Sequence, residues 1–193
     1  MQKIMFNDRY GLTDAVIDYI KNNTRRIEGG EQFQRAATSA EDFTYEEATG
    51  CIVMCCQGIE IFRHKCRYKV GEVVAVAQCY NDVVREFTDL AFVPGSTNKM
   101  FVRADLMPHQ IRIIGIRCER LRDISDEECI KEGVYAGSQA LEYPYYFIDT
   151  KQFLICDYKS PREAFAALID KVSGRGTWDR NPWVVVYEFE LVK

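Results

Sequence analysis

The chain has 193 residues, 47% of them apolar and 28% charged, with a formal net charge of −4. That length supports one domain, spanning 1–193, with a sizeable core. The acidic balance argues against a broad basic surface that grips nucleic acid through counterion release, and leaves room for a small basic pocket that takes one nucleotide or a short single strand.

In chain order, the opening MQKIMFNDRYGL lacks a basic-then-apolar signal pattern, so a cytoplasmic location is expected. No apolar run approaches the roughly eighteen residues that a membrane helix needs, so no membrane partner is expected. Thr13 as N-cap and the helical spacing of Val16, Tyr19 and Ile20 predict a helix from about Thr13 to Asn22, closed by Asn22 and Asn23. Lys21 then lies in the last turn and Thr24 just past it, followed by Arg25 and Arg26. Residues 27–50 are polar and mixed in charge and read as a long loop or insertion. CIVMCCQGIEIFR over 51–63 reads as a strand, and GEVVAVAQCY as another with Gly71 as its turn residue. Asn98 to Gln110, which contains Pro108, looks irregular. HQIRIIGIRCERL alternates, which places Ile114, Ile116 and Cys118 on one face.

Ser125-Asp126-Glu127-Glu128 is the clearest local signal: a capping box flanked by Ile124 and Cys129 at staple positions. Gly133 stops this short helix, leaving Glu132 as its last residue. A carboxylate at a helix C-terminus is unfavourable by about 0.3–1 kcal/mol, so its placement against local preference points to use. Residues 134–159 are rich in Tyr and Phe and read as a second insertion. Ser160-Pro161-Arg162-Glu163 is a second capping box with Pro at the first helical position. Phe165, Leu168, Ile169 and Val172 form that helix's buried stripe and Gly174 ends it. WVVVYEFELV closes the pattern as a strand with Trp183, Val185, Tyr187, Phe189 and Leu191 on one face. Strands before, between and after short helices imply an α+β domain on a mixed sheet or small barrel.

Several constellations compete for the chemistry. Lys21, Thr24 and Arg26 with a distant carboxylate are one, although cations near a helix end also simply complement its dipole. The eight cysteines, Cys51, Cys55, Cys56, Cys66, Cys79, Cys118, Cys129 and Cys156, are expected as free thiols of a reducing cytosol. Cys51, Cys55, Cys56 and Cys66 cluster near His64, but the spacing is wrong for a zinc site and strand alternation turns Cys56 away, so no metal is expected. His64 and His109 lie in no recognisable catalytic stretch. Tyr143, Tyr145, Tyr146 and Phe147 are able to stack bases, but their surroundings are not basic and a packed insertion fits better. Neither a dinucleotide fingerprint nor a phosphate-binding loop occurs, and no cofactor is expected.

The order of segments resembles the ASCH family, which has a PUA-like fold, and is most similar to its phage and prophage branch. Phe6-Asn7 followed by a helix and then Lys21, Thr24, Arg25 and Arg26 matches an opening of the form G-x-K-T-x-T-R-R. Gly71-Glu72-Val73-Val74, Met107-Pro108 and the run R-L-R-D-I-S-D-E-E-C-I-K-E-G-V from Arg120 to Val134 follow, the last being the most specific. Ser160 to Phe165, Trp178 and Asn181-Pro182-Trp183 complete it. The resemblance covers the scaffold and skips the two insertions. Tyr19 stands where the pattern has glycine, Asn22 where it has threonine, and Ala77-Gln78 where it has arginine-glutamate.

The resemblance implies a β-barrel with a cleft that binds RNA or a modified nucleoside or nucleotide. It also implies, from small bacterial members, an amidohydrolase that removes the acetyl group of N4-acetylcytidine, with Lys21, Thr24 and Glu132 catalytic and Arg25 and Arg26 on the substrate side. A third reading is a non-enzymatic, phage-derived accessory protein, which expects the aromatic stretch from Tyr143 to Phe147 to be an exposed apolar patch that meets a protein partner.

Overall fold

The structure, a computed structural model, describes residues 1–83, 93–137, 145–148 and 155–192. In chain order the elements begin with β1 (Lys3–Ile4), α1 (Leu12–Ile17), β2 (Asn23–Arg26) and α2 (Gly30–Ser39). The meander β3 (Asp42–Glu46), β4 (Cys51–Cys56) and β5 (Ile59–Lys65) follows, then β6 (Val73–Val76), α3 (Tyr80–Val83) and β7 (Gln110–Arg120). The last third holds α4 (Asp126–Lys131), β8 (Tyr135–Ala136), β9 (Tyr146–Ile148), β10 (Ile155–Tyr158), α5 (Pro161–Ser173), α6 (Thr177–Arg180) and β11 (Trp183–Leu191).

These assemble as α+β. A mixed sheet runs β1-β6-β7-β11-β2, in which only β1 and β6 are parallel, and two smaller antiparallel sheets run β3-β4-β5 and β10-β9-β8. Among the described residues none of the three closes into a barrel, and no helix is long and apolar enough to cross a membrane.

The long pairing of β7 with β11 is the spine. Trp183, Val185, Tyr187, Phe189 and Leu191 alternate as expected, yet Val184 and Val186 are buried as well, because both faces of this central strand are covered. On β7 the alternation breaks. Glu188 pairs with Gly115 and Phe189 with Ile113, so Ile114 is left as the extra residue of a β-bulge. The bulge switches faces: Ile111 and Ile113 precede it in the core, Ile116 and Cys118 follow it there, and Ile114, expected beside them, is exposed.

Four other expectations change. The first helix stops at Ile17, not Asn22, and its N-cap is Gly11. Thr13 is buried instead, its hydroxyl donating to Asp8. Tyr19 takes a left-handed backbone at φ 61°, which turns the chain so that residues 23–26 pair with β11. The stretch 27–50 is not a loop: α2 seats Phe33 and Ala37 in the core, and β3 joins the meander. Residues 51–63 form two strands, not one, joined at Gln57-Gly58, whose φ values of 50° and 74° make a two-residue hairpin turn.

Both helix-start signals are present, with one difference. At α4 the box is complete and Ile124 and Cys129 are buried. At α5 the Ser160 hydroxyl accepts from the Glu163 amide, but Glu163 returns to the Lys159 amide rather than to Ser160. Along α5, Phe165, Leu168 and Ile169 are buried while Val172 is exposed. In the expected second insertion, Tyr143 lies outside the described residues. Tyr145, Tyr146 and Phe147 are half-buried, with Phe147 stacked 5.2 Å from Tyr135, and do not form an exposed patch. The seven described cysteines are free thiols, and no His, Cys, Asp and Glu cluster suited to a metal occurs among the described residues.

Candidate functional site

Strand alternation sorts the motif. Asn23 and Arg25 lie on the face of β2 toward α4, while Thr24 and Arg26 lie opposite Tyr187 and Val185 on the other face. Lys21, just before the strand, is 2% exposed. Its ammonium donates to the Asn23 carbonyl at 2.7 Å, the Glu132 carbonyl at 2.8 Å and Glu132 Oε2 at 2.6 Å, so each of its three N–H groups has an acceptor. Burial pulls the Lys21 pKa below the ordinary lysine value, against the field of Glu132, which favours the charged form.

Glu132 is the C-cap of α4, and its carboxylate spans two cations, with Oε1 3.0 Å from Arg25 Nη1. This pairing offsets the unfavourable helix-end position. Gly133 follows with φ 99°, and a Cβ there would stand 3.0 Å from Leu12 Cδ2 and 3.6 Å from Lys21 Cδ. The glycine thus ends the helix and leaves room for Leu12 beneath the turn.

Arg25 is the hub of this wall. Its side chain is fully enclosed and lies within 3.0 Å of Glu119, Glu128 and Glu132. Burial alone would lower its pKa, but the three carboxylates outweigh that and raise it. Behind it, Arg117 bridges Glu119, Glu128 and Glu188. Glu128 therefore serves twice: Oε2 accepts from the Ser125 amide in the capping box and also faces Arg25.

The opposite face is far less committed. Among the described residues the buried Thr24 hydroxyl has no hydrogen-bond partner. Arg26 donates from Nη2 to the Met5 carbonyl at 3.0 Å, while its buried Nε is unpaired. The Arg26 guanidinium and the Lys21 ammonium approach the Phe6 ring at 5.9 and 5.8 Å from its centroid. Two residues on, Glu28 Oε2 accepts from the Tyr187 hydroxyl at 2.9 Å and stands 3.4 Å from His64 Nε2, while its buried Oε1 has no partner. Burial first, and Glu28 second, push the Tyr187 phenol pKa up.

A cavity of about 910 Å³ opens over these groups and is lined by all five residues picked out in the sequence, Lys21, Thr24, Arg25, Arg26 and Glu132. Its wall carries six cations, the other three being Arg9, Arg67 and Lys99, against the carboxylates Asp8, Glu28 and Glu132. Phe6, Ile27, Phe165, Leu168 and Val172 supply apolar surface. Such a volume lies in the range of roughly 300–1,000 Å³ usual for small-molecule sites.

Sequence reasoning missed Glu28, Tyr187, Glu119 and Glu128 as parts of this site. Glu28 carried a usable signal, since Thr24, Arg26 and Glu28 share a period of two once the segment is read as extended. Chemically, the Lys21–Glu132 contact is a couple able to share one proton, set beside an uncommitted hydroxyl and an excess of guanidinium. No protein-family model matches the chain, and no curated protein or solved structure matches it.

Proposed function

We propose that the chain is an ASCH domain of PUA-like fold whose cavity binds a nucleobase-bearing ligand, a modified nucleoside, a nucleotide or an RNA base. The observation that carries this reading is the convergence on one cavity of Lys21 and Glu132, 111 residues apart and in direct contact at 2.6 Å, with a surplus of cations in a chain of net charge −4. Tyr19 supports the family reading. It holds φ 61°, a conformation that favours glycine, at the position where the family pattern carries glycine. Phe6 offers an aromatic ring and Ile27 an aliphatic surface, and Thr24, Arg26 and Glu28 offer a hydroxyl, an unpaired donor and an unpaired acceptor for the edge of a base.

The test is equilibrium titration with ribonucleosides, N4-acetylcytidine and short single-stranded RNA. Saturable binding that weakens in Thr24→Val and Arg26→Ala is the expected result. Absence of binding by every ligand removes the reading.

A second reading, an amidohydrolase of N4-acetylcytidine-like substrates, is favoured by the uncommitted Thr24 hydroxyl, which lines the same cavity as the Lys21–Glu132 couple. In this reading a proton passes from the Lys21 ammonium to Glu132 across their 2.6 Å contact, and Lys21 then takes the Thr24 proton as the threonine oxygen attacks the acetyl carbonyl. Collapse of the tetrahedral intermediate breaks the C–N bond, and Glu132 protonates the departing N4 amine. Water then cleaves the acetyl-threonine ester to release acetate. Cytidine release from N4-acetylcytidine, lost in the near-isosteric Thr24→Val, is the expected outcome; release undiminished in that variant rules out threonine as nucleophile.

A further inference from the structure

The cations that line the cavity divide into two groups. Lys21 and Arg25 are neutralised by Glu132, Glu119 and Glu128, and Lys99 lies 2.9 Å from Asp8. Arg9, Arg26 and Arg67 have no carboxylate partner among the described residues. The remaining acid of the wall, Glu28, is held by Tyr187 and His64 rather than by any of these three.

The three unpaired cations are all arginines, and they come from separate segments: the 3-10 turn Asp8–Tyr10, the end of β2 and the loop after β5. No helix dipole or i,i+4 pairing accounts for their meeting at one cavity. Arg26 presents a buried, unpaired Nε, a donor that an anionic oxygen would satisfy. Arg9 and Arg67 are exposed at the margin, free to swing onto a ligand. The planar guanidinium fork matches phosphate oxygens two at a time, which a lysine cannot do.

Resting on the reading of the cavity as a nucleobase site, we infer that Arg9, Arg26 and Arg67 form a phosphate subsite and that the ligand is a nucleoside monophosphate rather than a neutral nucleoside. The Lys21–Glu132–Arg25 wall is already neutral and has no need of the phosphate. The base then lies against the Phe6 side of the cavity, and the phosphate reaches the three arginines.

The experiment titrates the protein with the four common ribonucleosides, their 5′-monophosphates, inorganic phosphate and a short single-stranded RNA, at low and at raised salt, and repeats the series on Arg9→Ala/Arg67→Ala. Both side chains are exposed and neither is in an ion pair, so the double variant is expected to fold, which circular dichroism checks. At least one monophosphate is expected to bind about tenfold or more tightly than its own nucleoside, with the ratio shrinking as salt rises and falling toward one in the double variant. A monophosphate that binds no better than its nucleoside overturns the subsite and leaves the nucleobase reading standing. A ratio that survives in the double variant also overturns it. Binding of single-stranded RNA without any mononucleotide overturns the inference while keeping the cavity as a nucleic-acid site. If no nucleoside, nucleotide or RNA binds, the nucleobase reading falls and the subsite falls with it.

Discussion

Arg25 and Arg26 are adjacent in one short strand, and their guanidiniums meet opposite fates. The first is sealed within 3.0 Å of three carboxylates from β7 and the α4 region, although its Nη2 is not aligned for a hydrogen bond to them, and the second has no carboxylate partner among the described residues and keeps an unpaired Nε beside an open cavity. The same division extends along the segment. On the α4 side Lys21 has all three ammonium hydrogens engaged, while on the cavity side Arg26 Nε lacks an acceptor and Glu28 Oε1 lacks a donor. One face of β2 is scaffold, assembled before any ligand arrives, and the other offers groups that a ligand can satisfy. The lesson is that a run of basic residues does not say which of them are left without a carboxylate partner. Strand alternation and the supply of carboxylates on each side do.

The largest expected effect comes from opening the saturated face. Glu132→Ala leaves the Lys21 ammonium buried with only carbonyl partners, and removal of one member of a buried ion pair costs about 3–5 kcal/mol. Urea unfolding measures it. Lys21→Met combined with Glu132→Met should be much less destabilised than the sum of the single variants, because neither charge is then orphaned. Arg26→Ala, on the other face, should cost under about 1 kcal/mol. If Arg26→Ala destabilises as much as Glu132→Ala, the division of the strand into scaffold and binding face is wrong.

Next in size is Arg25→Lys. A single ammonium cannot reach Glu119, Glu128 and Glu132 together, so about 1.5–3 kcal/mol is expected to be lost with charge unchanged. An unaltered unfolding midpoint would show that bidentate geometry is irrelevant there. Smaller again is the α4 start. Ser125→Ala removes a cap worth about 1 kcal/mol. Glu128→Ala keeps that cap but removes the reciprocal bond from the Ser125 amide together with the contacts to Arg25 and Arg117, and should cost clearly more. Equal losses would uncouple the helix start from the site.

Lys21 also carries a pH signature. Its pKa is lowered in the folded protein by burial from the ordinary 10.5. Between the lowered value and about 10.5 the unfolded chain therefore holds more protons at this position, and stability rises with pH. The difference in unfolding free energy between wild type and Lys21→Met should climb in wild type's favour across that window, and levels off above it. A difference that declines with pH reverses the assignment, meaning that Glu132 rather than burial governs the lysine.

Much of the scaffold was legible because its causes are local. Four letters, Ser125 to Glu128, announce a helix start through two reciprocal hydrogen bonds, and alternation in 183–191 announces a strand with a long buried face. β2 was not legible. Asn-Thr-Arg-Arg has no apolar alternation, and it is extended because β11 pairs with it and because Tyr19 turns the chain beforehand. Ile114 was misplaced because one bulged residue shifts every side chain after it to the other face, and nothing in IRIIGIR marks which residue is extra. For the site, Lys21 and Glu132 were linked only through the family order of segments. That Arg25 faces away from Arg26 into a carboxylate nest depends on the tertiary arrangement of β7 and α4, and Glu28 stayed hidden with the strand that carries it.

The smallest effect concerns the turn that delivers Lys21 to its wall. Tyr19 is 75% exposed, so its ring contributes little packing, yet its backbone sits at φ 61°, where a residue with a Cβ is penalised by about 1–2 kcal/mol. Glycine removes that penalty but loses more chain entropy on folding, about 0.5–1 kcal/mol. Tyr19→Gly is therefore expected to stabilise the protein by roughly 0.5–1 kcal/mol, read as a raised urea midpoint with an unchanged slope. Tyr19→Ala keeps the Cβ and should give no such gain. If both variants destabilise alike, the tyrosine ring is holding the turn through contacts of its own, and the α4-side wall depends on Tyr19 as well as on its ion pairs.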